Sequence, residues 1–190
     1  MNYKSNEVVV ISNPPFGKQG SLALKFIKRA SLFSDTIAFI LPLSFAKVSM
    51  KNKIPEFFHL EYEETLPDDS FLLEGENYDV KCVFQIWKKK QTKREIIKNE
   101  TETGFKYTKD KTQAHLAIRR VGVYAGRPFI DCLDKSEQSH YFIVLDDLNK
   151  RDYLIKKLND STWMDLTVGP RSISKGELNP IINNILQNDF

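Results

Sequence analysis

The strongest chemical signal in the sequence is an Asn-Pro-Pro-Phe segment, Asn13 to Phe16, that directly follows a short β-branched run. Each proline ring fixes its own φ and pushes the preceding residue out of the helical region, so the segment should form a rigid turn. The Asn13 side-chain oxygen and the Pro14 carbonyl would then be preorganised acceptors for the two N–H groups of a planar amino group. Phe16 would offer an aromatic face to a base extruded from its stack.

The elements around this segment predict where it lies in a fold. Residues 7–12 form a continuous apolar run, typical of a central strand buried on both faces. Residues 21–33 have helical apolar spacing with Ser21 as a candidate N-cap, and residues 36–43 predict a second buried strand. Strand, helix and strand in this order predict a right-handed crossover of a parallel sheet. The segment would therefore lie at the carboxyl end of a strand, where open α/β sheets bind ligands.

This strand-Asn-Pro-Pro-Phe-Gly arrangement resembles motif IV of S-adenosylmethionine-dependent amino methyltransferases, especially the N6-adenine DNA methyltransferases. The helix that follows, the strand at 36–43 and a strand pair expected at 57–66 and 78–87 resemble the second half of that family's catalytic sheet. The resemblance implies an α/β fold, namely the C-terminal half of a Rossmann-like methyltransferase sheet. It also implies a catalytic segment of Asn13, Pro14, Pro15 and Phe16, in which Asn13 and the Pro14 carbonyl hold the amino group and Phe16 stacks on the base. These acceptors would favour the charge that builds on the nitrogen as it attacks an electrophilic methyl.

The cofactor-binding half of the family is the part that this sequence does not match. In the family, a strand with a Gly-rich turn precedes motif IV. Here six residues precede the β-branched run. Only residues 122–126, later in the sequence, are faintly similar to such a turn. The resemblance thus implies S-adenosylmethionine as cofactor with its binding half absent, and a chain that is inactive alone. A sheet without its first strands would expose an apolar edge, which soluble proteins cover or pair. We expect a complementary cofactor-binding polypeptide or self-association, as for a truncated gene, half of a split enzyme or a remnant.

The polarity of the chain predicts two domains. Residues 1–90 would be the partial methyltransferase catalytic domain, and the polar stretch 91–112 a linker or exposed excursion. Residues 113–190 would be a small α+β module and a candidate for nucleic-acid recognition. Its expected strands are at 115–123, 127–132 and 140–145, and its expected helices are near 151–159 and 174–186.

Cations and aromatic residues in the second module suggest contacts with DNA, the expected partner. The candidate nucleic-acid-binding residues are Arg119, Arg120, Arg127, His140, Tyr141, Arg171, Ser172 and Lys175, together with Lys18 beside the motif. The alternatives are structural. Lys18 could belong to a solvated loop, the arginines could solvate an edge strand, and His140 and Tyr141 are as consistent with a structural role as with a functional one.

Composition restricts the remaining classes. Lys and Arg number 28 against 25 Asp and Glu, and a net charge of +3 is too small to indicate nucleic-acid binding by itself. Two isolated cysteines and no long apolar run predict a cytoplasmic protein without a membrane span, and no metal site is expected. The open alternatives are methylation of RNA adenine or of a protein glutamine, a non-catalytic DNA- or protein-binding remnant, and a plain surface turn at Asn13 to Phe16.

Overall fold

The computed structural model describes residues 7–163 and 170–188. These residues form a mixed α/β structure with several sheets and a few helices. They divide into two compact units, residues 7–97 and residues 98–163 with 170–188. Within the described ranges, no helix combines the length and the apolar character that crossing a membrane requires.

The first unit is built on a four-stranded sheet in the order β1-β2-β6-β3. β1 and β2 are parallel, with Ser12 opposite Phe39, whereas β6 is antiparallel to both β2 and β3. The elements are β1 (Val9–Ser12), α1 (Ser21–Ala30), β2 (Thr36–Pro42), α2 (Val48–Lys51), β3 (Phe58–Thr65), β4 (Leu72–Leu73), β5 (Glu76–Asn77) and β6 (Cys82–Lys89). The strand, helix and parallel strand expected around the motif are all present.

One face of this sheet carries the core of the first unit. The buried face of α1 presents Ala23, Ile27 and Ala30, at the spacing of successive helical turns, to a cluster that includes Phe39 and Trp87. Residues of β2 alternate across the sheet, so Ile37, Phe39 and Leu41 all point into this cluster. This packing fixes α1, and with it the chain segment that joins β1 to the helix.

The structure corrects the expectation that residues 7–12 form a central strand. β1 is the edge strand of its sheet, and its Val9 and Ile11 side chains are 52% and 77% exposed. The β-branched run gives the strand conformation, but the described residues supply a neighbouring strand only on the β2 side. Among the described residues, β1 therefore presents an exposed apolar edge.

Several element boundaries also differ from the sequence expectation. The helix expected over 21–33 ends at Ala30, and its N-cap is Gly20, at a φ of +74°, rather than Ser21. The strand expected at 78–87 begins at Cys82, because Tyr78 instead donates its N–H to the Phe71 carbonyl at 2.9 Å. Residues 78–81 thus leave the sheet, a difference that helps to shape the candidate site.

The polar stretch 91–112, expected as a linker, contributes to both units. Arg94 donates hydrogen bonds to the carbonyls of Lys51 and Ile54 and lies over the Trp87 ring, which attaches the start of the stretch to the first unit. Further along, residues 105–108 form a strand of the second unit with Phe105 buried. Because residues 91–112 are rich in long polar side chains, their composition alone does not predict these contacts.

The second unit contains an antiparallel four-stranded sheet in the order β7-β10-β8-β9 with two helices. Its elements are β7 (Phe105–Thr108), β8 (Leu116–Arg119), β9 (Pro128–Phe129), β10 (His140–Leu145), α3 (Arg151–Asp160) and α4 (Lys175–Gln187). Ile143 and Leu145 of β10 share one apolar cluster with Leu154 of α3 and Ile182 of α4. α4 begins in a capping box formed by Ser174 and Glu177. The second unit is therefore α+β, and it begins at residue 98 rather than at the expected 113. β10 has its expected bounds, whereas β8 and β9 are shorter than the strands expected at 115–123 and 127–132.

Candidate functional site

The Asn-Pro-Pro-Phe segment lies directly after the last residue of β1. Asn13 and Pro15 are exposed, Pro14 is buried and Phe16 is half-buried. Since β1 and β2 are parallel, this is the carboxyl end of the parallel pair, as the sequence predicted.

Backbone contacts hold the segment to α1. The Phe16 carbonyl accepts hydrogen bonds from the N–H groups of Leu22 at 3.1 Å and Ala23 at 3.3 Å, in the first turn of the helix. Gly17, at a φ of +67°, makes the turn, and a Cβ there would lie 2.6 Å from Leu22 Cγ. The position of Phe16 is thus coupled to the helix that the core fixes.

The residues after the motif form a short 3₁₀ turn, Lys18–Gly20. Gly20 donates its N–H to the Gly17 carbonyl at 3.2 Å, and a Cβ on Gly20 would lie 2.7 Å from Phe45 Cε2. Lys18, predicted to contact nucleic acid, is exposed on this turn.

An open cleft of about 480 Å³ lies over the motif. Asn13, Pro14, Pro15 and Phe16 form one wall, and the facing wall is apolar and aromatic. The facing residues are Phe71, Leu72, Leu73, Tyr78 and Val80. The volume of the cleft lies within the range of typical small-molecule pockets.

The facing wall of the cleft comes from the hairpin of β4 and β5 and the residues that flank it. Its two-residue turn is Glu74-Gly75, both at positive φ (54° and 89°), as tight hairpin turns require. Phe71, Leu72 and Tyr78 were not among the predicted site residues. The signal available in the sequence was the presence of large apolar residues in a polar, turn-rich stretch, where Leu72 and Tyr78 are exposed and Phe71 is half-buried.

The two proposed acceptors have no competing donors among the described residues. Neither the Asn13 side chain nor the Pro14 carbonyl takes part in a hydrogen bond there. Pro14 and Pro15 have no N–H groups that could satisfy them locally. Asn13 and Pro14, whose oxygens accept no hydrogen bond from a described residue, thus line the cleft together with Phe16.

The glycine-containing stretch at residues 122–126 does not fit the role of a cofactor cradle. Gly126 donates its N–H to the Arg119 carbonyl at 2.7 Å, and a Cβ on Gly126 would overlap the Trp163 ring. Gly122 donates to the Arg171 carbonyl at 2.8 Å. These glycines serve a compact turn of the second unit.

In the second unit, four of the predicted nucleic-acid-binding residues converge. Arg120, His140, Tyr141 and Lys175 line one cavity of about 170 Å³, which also receives Tyr107. We call this cavity the basic pocket. Tyr107 was not among the predicted binding residues, because a single tyrosine in a polar stretch gives no periodic signal.

The other predicted contacts of the second unit do not line this pocket. Arg119 donates from Nε to the Val121 carbonyl at 2.8 Å, and Arg127 is exposed and lies over the Tyr124 and Phe129 rings. Arg171 is half-buried, and Ser172 forms an isolated β-bridge with Val121. The structure groups Lys175 with Arg120 rather than with its sequence neighbours Arg171 and Ser172.

Burial controls protonation in and around the basic pocket. Desolvation lowers the pKa of His140, and the cations Arg119, Lys135 and Lys111 lower it further against an opposing hydrogen bond to the Ser136 carbonyl. Burial also raises the pKa values of Tyr107 and Tyr141. His140 and both tyrosines are therefore neutral near pH 7, and the positive charge of the pocket comes from its Arg and Lys side chains.

Comparisons of the chain with protein-family models, with curated proteins and with solved structures find no match.

Proposed function

We propose that this chain is the target-base half of an S-adenosylmethionine-dependent N6-adenine DNA methyltransferase of restriction-modification type. In this proposal it holds the adenine amino group and acts with a complementary polypeptide that binds the cofactor. The observation that carries the proposal is the pair of unoccupied acceptors, on Asn13 and Pro14, at the carboxyl end of β1 inside an aromatic cleft.

The cleft matches an adenine in chemistry and in size. An adenine amino group has two N–H donors in one plane, and two oxygen acceptors on a rigid turn can receive both. Half-buried Phe16 and the facing Tyr78 and Phe71 supply aromatic surface against which a flipped base could stack. An extended glutamine side chain would use the acceptors but little of the aromatic wall, which favours a nucleobase.

The role of the turn in the reaction is electrostatic. S-adenosylmethionine, when bound, would supply an electrophilic methyl group and would leave as S-adenosylhomocysteine when its sulfur–methyl bond breaks. The Asn13 and Pro14 oxygens would stabilise the positive charge on the adenine nitrogen during the transfer. The Asn13 amide cannot serve as a base, so it orients the nitrogen and leaves the proton to solvent or to the partner.

The exposed edge at β1 supports a complementary polypeptide. Val9 and Ile11 present apolar surface beside a strand edge that no described strand pairs. Natural proteins seldom leave such an edge open. A parallel strand added there would place its own carboxyl end next to Asn13, where the cofactor methyl has to arrive.

A binding experiment with nucleosides tests the proposal without the partner. Adenosine should shift backbone amide signals of Asn13 and Phe16 in NMR spectra, whereas N6,N6-dimethyladenosine, which has no N–H donor, should bind more weakly. Asn13→Ala should weaken adenosine binding about fivefold, the effect of one lost hydrogen bond of about 1 kcal/mol. Gln19→Ala, on the exposed turn beside the motif, is the matched control and should bind as the unmodified chain does.

Three results would contradict the proposal. They are equal binding of adenosine and its dimethyl analogue, an unchanged affinity in Asn13→Ala, and preference for a blocked glutamine over adenosine. Tight binding of S-adenosylmethionine by the chain alone would overturn the assignment of the cofactor to a partner. In a complex reconstituted with a cofactor-binding polypeptide, Asn13→Ala should abolish methyl transfer to duplex DNA while leaving the thermal midpoint of unfolding unchanged.

A further inference from the structure

The basic pocket of the second unit brings together cations that are far apart in sequence. Arg120 follows β8, and Lys175 is the first residue of α4. The Arg120 guanidinium carbon lies 5.0 Å from the centre of the Tyr141 ring, and Lys175 Nζ lies 5.9 Å from the same centre and 3.9 Å from that of Tyr107. Two positive charges are thus held on one pair of touching aromatic rings.

These cations are not neutralised within the described residues. Neither Arg120 nor Lys175 forms an ion pair or a side-chain hydrogen bond there, and Arg120 Nε is buried without a partner. A buried donor without an acceptor is destabilising. Glu137 also lines the pocket but pairs with neither cation, and both Glu137 and Lys175 are exposed. Among the described residues, Arg120 and Lys175 therefore have no paired carboxylate.

The aromatic pair beneath the cations is rigid. Tyr107 and Tyr141 meet edge to face with ring centres 5.5 Å apart, and their hydroxyls donate to Asn179 Oδ1 and to the Ile173 carbonyl. Both rings are anchored at their polar ends, so the cations that stack on them are restrained before any ligand arrives. A preorganised site loses less side-chain entropy on binding.

The size of the pocket limits the ligand. A cavity of about 170 Å³ is smaller than the ~300 Å³ at which typical small-molecule sites begin. It suits a single compact anionic group and not a whole nucleotide. The pocket offers a guanidinium and an ammonium group, and Thr108 and His140 belong to the same lining. This set of groups matches the several oxygens of a tetrahedral anion better than it matches the two oxygens of a carboxylate.

We propose that the basic pocket binds a phosphate group, with Arg120 and Lys175 as cationic ligands and Lys109 as a further cation on the same lining. The phosphate can be free or part of a polynucleotide backbone, and both present the same oxygens to the pocket. The proposal does not depend on methyl transfer by the first unit, since it rests on residues of the second unit alone.

The test uses the full chain with four probes, namely inorganic phosphate, a fluorescein-labelled single-stranded oligonucleotide, the same sequence as a duplex, and an acidic peptide without phosphate. Phosphate should shift NMR signals of Arg120, His140 and Tyr141. Arg120→Gln and Lys175→Gln should each weaken binding of phosphate about tenfold, as loss of a charge-assisted hydrogen bond predicts. Lys156→Gln, an exposed lysine of α3, makes the same charge change and should alter binding less than twofold.

The different probes distinguish the two sources of phosphate. If Arg120→Gln weakens oligonucleotide binding more than Lys156→Gln does, the polynucleotide backbone is a source. If Arg120→Gln weakens only the binding of inorganic phosphate, the pocket is a site for free phosphate. Arg120→Lys, which keeps the charge, should retain part of the affinity and guards against a folding defect in Arg120→Gln. Phosphate shifts that map elsewhere, equal affinities of Arg120→Gln and Lys156→Gln for every probe, or equally tight and equally sensitive binding of an acidic peptide would overturn the proposal.

Discussion

The carbonyl oxygen of Phe16 accepts hydrogen bonds from the N–H groups of Leu22, at 3.1 Å, and Ala23, so the last residue of the Asn-Pro-Pro-Phe segment caps the first turn of α1. The motif is therefore part of a helix start rather than a free loop. Because Ala23 and Ile27 are fully buried, displacing the motif would require moving the helix out of its core. This relationship explains how a rigid acceptor pair can stay in place on an exposed edge of a sheet.

The glycine at the start of α1 gives a first prediction about stability. Gly20→Ala places a Cβ in a left-handed backbone and against the buried ring of Phe45, so it should lower the free energy of unfolding by about 2 to 4 kcal/mol. Gly75→Ala is the matched control, because Gly75 also has a positive φ but a Cβ there meets nothing within 4 Å. It should cost only about 1 to 2 kcal/mol. Urea unfolding followed by circular dichroism measures both, and equal losses in the two variants would refute the packing argument.

A buried glutamine in β6 gives a second prediction. Gln85 is fully buried, accepts a 2.9 Å hydrogen bond from Trp87 Nε1 and donates to the Phe45 carbonyl at 3.0 Å and to Glu63. Gln85→Leu leaves the indole N–H and the carbonyl without partners and should destabilise the chain by about 1 to 3 kcal/mol.

The control for Gln85→Leu removes a hydrogen bond at the surface. Tyr62→Phe deletes the exposed contact between the Tyr62 hydroxyl and Glu64, and should change stability by less than about 0.5 kcal/mol. Thermal unfolding at one pH compares the two variants. A Gln85→Leu chain as stable as Tyr62→Phe would mean that the buried network contributes little.

His140 gives a prediction about pH. Its pKa is lowered in the folded chain from an ordinary value of 6.5, mainly by burial and then by Arg119, Lys135 and Lys111, with Glu137 lining the same pocket. Below pH 6.5 the unfolded chain therefore takes up a proton more readily than the folded chain. The contribution of His140 to stability is complete above pH 6.5 and falls as the pH drops towards the folded pKa.

The test compares the pH dependence of the free energy of unfolding in the unmodified chain and in His140→Gln. Carboxylates elsewhere titrate in both chains, so their contribution drops out of the difference. Urea unfolding between pH 7.5 and 5 should show the steeper loss of stability in the unmodified chain. NMR titration of the imidazole measures the folded pKa directly. Parallel stability curves for the two chains, or a folded pKa above 6.5, would show that the protonated ring is not penalised.

The sequence by itself determined the local structure of the first unit. The prolines at 14 and 15 fixed the turn, the β-branched run before them formed a strand, and the helical spacing of Ala23, Ile27 and Ala30 placed a helix after it. These features depend on dihedral restrictions and on periodicity, which act over a few residues. The parallel pairing of β1 with β2 follows from the same pattern, since a helix between two strands returns the chain in the same direction.

Only the tertiary structure decided what surrounds those elements. It placed β1 at an edge, since the number of neighbours of a strand depends on the whole sheet and not on its own residues. It brought Phe71 and Tyr78 into the same cleft as Asn13. It also placed Lys175 in one pocket with Arg120, which is 55 positions earlier in the sequence, and not with Arg171, which is much closer in sequence. Such juxtapositions arise from long-range packing, in which the pairing of strands and the docking of α4 bring distant residues together, and no local spacing encodes them.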